Sequence, residues 1–600
     1  MKDTLPSREQ WAGIKIIKKK RTPNFTKMKD KDGNRVGPRG RAGAVADYLH
    51  AVQWKADILP PSITKRSIIQ SDLPYNLDQI TMTELDAALR KAKNHKAAGP
   101  DGIQAELFKY LDVQNRAALL SVLNGWWSKE AIPSDFLNAQ VVSIFKKGDT
   151  ENIANYRPIS LLNAIYKIFA EIIRQRLSDV IDPYICNTQF GFRKNRSTTD
   201  ALFIARRLQD LGERSGDNIV ICMLDWKQAF DRISHPRMMQ ALERLNLPRK
   251  FRNLIASFYT DLSFQVKHEN FLSHAKSQDA GIRQGCPLSP FLFILVMTVL
   301  FHDIGVEHYR DLSECRLDQI SFNEVLYADD TLLISRNTFG MNLLLHAIED
   351  ESAYYGLKLN HDKCHVLAMN GHNCIRFKDG SRMKHVEEAV YLGGILTKHV
   401  NIASEVSNRI ASAMATWKSL DIFWKEAQCS TRNKILIYNA VIQSKLLYAL
   451  ETIEIPVALL SRLESFQLKG LRKILGMTTT YINRANTNEE VFRRANLHIA
   501  ANHFGTEIVP IQDILTHRRI ALAAKVLRQD NDSPMRMVSF KKDTAAPVEI
   551  LFRRVGRPRK QWTQNTLTMI WRKIRDDQSD FNNSNAQLAQ ILQAAINKEI

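Results

Sequence analysis

Between residues 141 and 396, short apolar runs alternate with longer stretches whose apolar positions recur at helical spacing. A period of two marks strands and a period near 3.6 marks helices, so this part predicts a mixed α/β body. One strand is Ile219-Val220-Ile221-Cys222-Met223-Leu224, ending at Asp225. A second signal runs Glu324-Val325-Leu326-Tyr327, then Ala328-Asp329-Asp330, then Thr331-Leu332-Leu333-Ile334. That pattern predicts a hairpin with two carboxylates at its tip. Ser289-Pro290 predicts an N-cap with proline at the first helical position, opening a buried helix from Phe291. Upstream, residues 80–110 are helical on both sides of a sharp turn at Ala98-Gly99-Pro100-Asp101-Gly102. After about residue 400 the strand signals stop. Ile402, Val406, Ile410, Met414 and Trp417 recur at helical spacing, and 432–451 and 459–475 continue the pattern. These stripes read as helix-packing core. No internal repeat is found.

The 600 residues are 44% apolar and 24% charged, a globular balance with ample length for a large core. Charge changes the picture more. The net charge is +21, and its excess sits at the ends. Residues 1–45 hold 13 basic and 4 acidic side chains, and 541–575 hold 10 and 2. The remaining chain is nearly balanced. The first segment reads as a flexible arm. Basic ends on a balanced body suit a polyanion, either nucleic acid or an anionic membrane surface. Seven cysteines without a CxxC pair, and no secretory leader, predict a reducing compartment. The longest apolar run, 291–301, is too short to span a bilayer, so no membrane partner is expected.

A strand end at Asp225 beside a hairpin tip at Asp329 and Asp330 can gather three carboxylates. Such a cluster repels itself unless a cation neutralises it, and hard oxygen ligands favour Mg²⁺ or Mn²⁺. Two such ions suit in-line phosphoryl transfer. An Asp-Asp turn alone is usually a solvated hairpin, so this signal is weak by itself.

It gains weight from its companions in order: NHKAAGPDGI (94–103), FKKGDTENIANYRPISLLN (145–163), QFGFRKNRST (189–198), MLDWKQAFDRI (223–233), GIRQGCPLSP (281–290), YADD (327–330), GLKLNHDKC (356–364) and YLGGIL (391–396). Read together, the chain resembles reverse transcriptases of non-LTR (LINE-type) retrotransposons, over 80–396 and more weakly to about Gly476. The resemblance implies an α+β right-hand polymerase. Its parts would be a basic N-terminal extension (1–75), fingers and palm with an antiparallel palm sheet (76–396), an α-helical thumb (397–480) and a basic C-terminal region (481–600).

The resemblance also implies roles. Asp225 and Asp329 match the metal ligands, Asp330 the third palm carboxylate, and the Trp226 carbonyl an extra ligand for two Mg²⁺, with Mn²⁺ an alternative. Phe230 matches the ring that packs under the sugar and excludes a ribose 2′-hydroxyl; its bland reading is core. Gln284 and Gly285 match the loop near nucleotide and template. Arg157 and one of Lys146 and Lys147 match the triphosphate clamp, and Lys363 a lysine that protonates the leaving pyrophosphate. Tyr391, Leu392, Gly393 and Gly394 match the primer grip, and Arg193 a nucleic-acid contact.

The pattern departs from the family in places. About 80 residues precede the first motif, too few for the endonuclease that usually stands there. No cysteine follows Cys429, which excludes a C-terminal zinc knuckle. The chain thus reads as the polymerase portion of a longer element or a truncated copy. Cys364, His365, His372 and Cys374 cluster locally, but at no spacing that fits zinc. Arg553, Arg554, Arg557, Arg559 and Lys560 surround a Gly-Arg-Pro core resembling an AT-hook; an import signal or a phosphate clamp are the blander readings. Expected partners are an RNA template, a DNA primer or target and dNTPs, and the expected site of action is the nucleus, with the cytoplasm as an alternative. The competing class is a remnant that binds nucleic acid without polymerising.

Overall fold

A computed structural model describes residues 28–61, 65–215, 218–369, 374–499, 507–548, 561–575 and 585–598. Its centre is a five-stranded sheet. Ile219–Leu224 lies in the middle and is buried along its whole length. It pairs antiparallel with His365–Met369 on one side and Asp330–Ser335 on the other, with Cys222 opposite both Val366 and Leu333. An all-apolar sequence suits that place, because both faces of a central strand are covered. Glu324–Tyr327 pairs with Asp330–Ser335 and forms the sheet edge. The two strands meet at a two-residue turn in which Ala328 has φ +57°. The predicted strand and hairpin are therefore both present.

Ser289–Glu307 shares a core with Val220, Cys222, Leu224 and Leu333 of this sheet. Leu288 is its N-cap, so Ser289 and Pro290 are the first two helical residues rather than cap and first residue. The helix has 19 residues, longer than the apolar run suggested, and is long and apolar enough to cross a bilayer. Its residues from Phe291 to Phe301 are all buried in the protein's own core. Helices apolar on every face belong in such interiors.

A second sheet flanks the first. Asn138–Phe145 pairs antiparallel with Tyr156–Leu161 and parallel with Ser263–His268. The described part of the expected N-terminal arm is not an arm. Arg41–Tyr48 is a helix, and Met28, Val45, Ala46, Leu49 and Trp54 are buried in the same core as Phe251, Phe264 and Phe293. Basic composition hid these apolar anchors.

Beyond Thr397 the described residues form helices and no named strand. Ile402–Ser419 and Val457–Leu475 match the expected stripes. The stretch 432–451 is less regular. It is α-helical over Thr431–Ile437, widens to a π-helix over Tyr438–Gln443, and ends near Ala449 at φ +56°. The described residues after 507 are not a separate appendage. Val526, Trp562, Ile570 and Ile591 share a core with Phe203, Ile221, Ile334 and Leu367 on the central sheet's other face. Trp562 is fully buried, meets Phe203 edge-on at 4.8 Å, and donates its indole N–H to the Glu451 carbonyl at 2.7 Å.

Candidate active site

Asp225 leaves the central strand where the segment 358–364 braces it. The Asn360 N–H donates to the Asp225 carbonyl at 2.8 Å, and the Asp225 N–H points at the buried Cys364 sulfur at 3.4 Å. The next residue, Trp226, is buried, and its indole N–H donates to Thr331 Oγ1 at 3.1 Å. This bolts the strand end to the hairpin carrying Asp329 and Asp330. Both hairpin carboxyls reach the surface, yet the protein around them strips enough water to raise them. Desolvation comes first for Asp330, followed by the charges of Asp329 and Asp225, and together they push it up to about 6. Asp329 is raised mainly by desolvation, while Arg157 and Lys146 pull it down and Asp225 pushes it up. Lys363 Nζ stands 3.5 Å from Asp225 Oδ2.

Among the described residues, no three His, Cys, Asp or Glu side chains are arranged to hold one metal ion. The expected three-aspartate cage is therefore not closed in this arrangement, and Lys363 supplies a counter-charge to Asp225. The chemistry of the set still fits a hard divalent cation, because Asp329 and Asp330 are destabilised as anions by desolvation and by neighbouring carboxylates.

Cations face the carboxylates from the second sheet. The Lys146 N–H donates to the Asn155 carbonyl at 2.9 Å, and Arg157 sits opposite Ile144 in the ladder. Desolvation holds the Lys146 ammonium below its usual range, and Arg157 and Lys363 lower it further while Asp231 and Asp225 oppose them. Lys146 and Arg157 thus belong to the same electrostatic group as the aspartates. Lys147 is exposed and enters none of these couplings.

Phe230 stacks on Phe293 with centroids 4.6 Å apart and meets Phe192 edge-on at 6.4 Å. It is packed against the main core. The Gln284 carbonyl accepts from the Ser160 N–H at 2.8 Å. Gly285 has φ +141°, and a Cβ there would collide with the Ser160 carbonyl, so glycine is required. Next to Phe230, the buried carboxylate of Asp231 accepts from Gln284 Nε2, Gln53 Nε2 and Trp54 Nε1. Asp231 lay unremarked inside AFDRI, and Gln53 and Trp54 carried no motif.

The hairpin of Glu388–Tyr391 and Gly394–Thr397 carries Leu392 and Gly393 at its turn, both at positive φ. Residues of the helical region after Thr397 hold it. Tyr448 Oη donates to the Leu392 carbonyl at 2.9 Å, Arg409 Nη2 donates to the Gly393 carbonyl, and Glu405 accepts from the Ile395 N–H. Tyr391 itself is buried beneath the sheet edge.

Arg193 is not placed to contact nucleic acid. Its guanidinium is 3% exposed and is paired to Asp182 at 2.9 Å. It also donates to the Asp182 and Cys186 carbonyls. Just before it, the fully buried Gln189 uses Oε1 to accept from the N–H groups of Gly191 and Ala328 at 2.8 and 2.9 Å. Gln189 opens the QFGF motif, and no pattern marked it as a support of the hairpin tip. Arg553, Arg554, Arg557, Arg559 and Lys560 lie outside the described residues, as does His372.

Residues 144–396 match the family described as reverse transcriptase (RNA-dependent DNA polymerase). The chain is 26% identical over 494 residues to the RNA-directed DNA polymerase from mobile element jockey of Drosophila funebris, covering 78% of this chain and 52% of that protein. It is 27% identical over 384 residues to the transposon TX1 uncharacterized 149 kDa protein of Xenopus laevis, covering 62% and 28%. It is 26% identical over 324 residues to the retrovirus-related Pol polyprotein from type-2 retrotransposable element R2DM of Drosophila melanogaster, covering 53% and 29%. The chain spans about half, or less, of the length of these curated relatives.

Proposed function

With residues 144–396 as a reverse transcriptase domain similar to those of non-LTR mobile elements, we propose that the chain is an RNA-directed DNA polymerase. It extends a DNA 3′ end on an RNA template. The observation that carries this reading is the convergence of Asp225, Asp329 and Asp330 with Lys146, Arg157 and Lys363 in one electrostatic group.

Asp225, Asp329 and Asp330, with the Trp226 carbonyl, would hold two Mg²⁺, or Mn²⁺, which supply charge neutralisation for phosphoryl transfer. Lys146 and Arg157 bind the triphosphate from the opposite sheet, where fixed cations stabilise charge that builds on its oxygens. Lys363 Nζ stands by the same carboxylates and donates a proton to the departing pyrophosphate. The Phe230 ring closes the space a 2′-hydroxyl would need. Leu392 and Gly393 present backbone to the primer, braced by Tyr448 and Arg409. A net charge of +21 supports action on nucleic acid, and the nucleus is the proposed site.

The test is extension of a DNA primer on an RNA template with dNTPs and Mg²⁺, beside the Asp329→Ala/Asp330→Ala double variant. Extension by the unaltered protein and none by the variant is the expected result. No extension by either, with salt-sensitive RNA binding retained, would replace this reading with that of a nucleic-acid-binding remnant.

A further inference from the structure

Asp231 is 3% exposed, and its carboxylate sits where three segments distant in sequence meet. Gln53 Nε2 donates to Oδ2 at 3.0 Å and Trp54 Nε1 to Oδ1 at 3.0 Å. Gln284 Nε2 lies 3.0 and 2.9 Å from the two oxygens. We infer that Gln53 and Trp54 are positioning residues for the incoming nucleotide, acting through Asp231 on Gln284. The inference rests on the polymerase reading of this site.

The argument begins with hydrogen-bond chemistry. A carboxylate has acceptors only, so it decides which end of a neighbouring amide faces it. Asp231 draws in the NH₂ group of Gln284 and turns Oε1 away. Gln284 then offers an acceptor, which suits a hydroxyl or amine of a nucleotide and repels a phosphate oxygen. An amide left to rotate would offer either group. The main chain of Gln284 is fixed as well, through its carbonyl on Ser160 and through Gly285 packed against the Ser160 carbonyl.

Gln53 and Trp54 complete the shell. A buried carboxylate needs donors to stay in place, and Gln284 alone leaves Asp231 under-satisfied. Trp54 works at two points: its indole holds Asp231, and its carbonyl accepts from the N–H groups of Asp279 and Ala280, at 3.2 and 3.0 Å. Those residues open the loop that carries Gln284. Trp54 therefore ties Asp231 to the loop that carries Gln284, while Gln53 holds Asp231 alone. Asp231 directly follows Phe230, whose carbonyl accepts from the Ile282 N–H at 2.7 Å, so sugar-facing ring and amide share one framework. Gln53 and Trp54 lie outside the matched 144–396, in a segment whose composition reads as a basic extension. That segment supplies a specificity element to the domain it precedes.

The test uses the full chain in single-nucleotide insertion on an RNA template with a DNA primer and Mg²⁺. Gln53→Leu removes one donor and leaves Trp54 packed edge-on to Phe264 at 4.6 Å. It is expected to raise the KM for the dNTP about five- to tenfold with kcat changed less than about twofold. Trp54→Phe is expected to do the same, and Gln53→Leu covers the case in which that variant fails to fold. The decisive readout is the cycle with Gln284→Leu. If Gln53 acts through Gln284, Gln53→Leu adds no further rise in KM on the Gln284→Leu background. Multiplying effects, or a lowered Tm with an unchanged KM, would overturn the inference while leaving the polymerase reading intact. Absence of extension by the unaltered protein would overturn both.

Discussion

The hairpin bearing Asp329 and Asp330 hangs on one side chain that sequence motifs do not mark. Gln189 is fully buried, and its Oε1 accepts from the N–H groups of Gly191 and Ala328. Ala328 precedes Asp329 and is held at φ +57°, a conformation that costs an alanine about 1 kcal/mol. Gln189→Leu keeps the bulk and removes the acceptor. Two buried N–H groups then lose their partner, at about 1–3 kcal/mol each. Gln189 Nε2 has no partner among the described residues, so its removal returns part of that cost. A net loss of about 2–3 kcal/mol is expected, read as a lower midpoint in urea unfolding. The functional effect is larger in proportion. A tip that shifts by about 1 Å costs on the order of a hundredfold in rate. Primer extension is therefore expected to lose kcat with primer–template affinity retained. A variant that is destabilised yet extends primers at the normal rate would refute the reasoning, for the strand ladder alone would then be placing the tip. Unchanged stability would refute it at an earlier step.

Two further outcomes are expected. Burial raises the Glu324 carboxyl from its ordinary 4.5 to about 7, against the Thr188 hydroxyl and Asn323 N–H that favour its charged form. The folded state therefore binds its proton more tightly than the unfolded chain, and the stability so gained is complete below about pH 4.5 and lost as pH rises through 7. Glu324→Gln, always neutral, is expected to match the parent near pH 4.5 and exceed it by up to about 3 kcal/mol at pH 8, measured by urea unfolding; a constant difference across pH would contradict the assignment. Arg193→Ala is expected to destabilise by about 3 kcal/mol, because it strips partners from Asp182 and several carbonyls. The salt dependence of RNA binding should not change, and a shallower slope would show that Arg193 meets phosphate after all.

Much of the site could be read without coordinates because its chemistry sits on elements with strong local signals. Ile219–Leu224 is an unbroken apolar run, and an acidic turn between two apolar strands has few other meanings. What escaped reading depends on distant partners. Gln53, Trp54 and Gln284 meet Asp231 across separations of 53 to 178 positions, and no local period records such a meeting. Arg193 misled for a related reason: a cation inside a motif resembles a phosphate contact until its cage of carbonyls is seen. The stretch 432–451 has helical spacing, yet tertiary packing of Tyr438, Val441 and Ile442 tolerates a wider turn there. Composition concealed the anchors at Met28, Val45 and Trp54, because net charge counts lysines and ignores where the few apolar residues go.

The same distinction bears on what the net charge of +21 can do. Among the described residues, eleven arginines are buried, including Arg176, Arg206, Arg207, Arg283, Arg409 and Arg519, and no lysine is. Arginine is the less strongly hydrated cation and spreads five donors in a plane, so it is the one that can be taken inside and satisfied. Arg206 and Arg409 both pair with the buried Glu405, joining the sheet-side helix Thr198–Ser215 to the hairpin brace. Charge neutralised in such pairs binds the protein to itself and contributes little field to a polyanion. The basic side chains left at the described surface are the lysines together with arginines such as Arg157, Arg249 and Arg462. Replacing surface lysines should flatten the salt dependence of binding while leaving stability nearly untouched. Replacing the buried arginines should do the reverse, so the two kinds of basic residue that composition adds together separate cleanly in experiment.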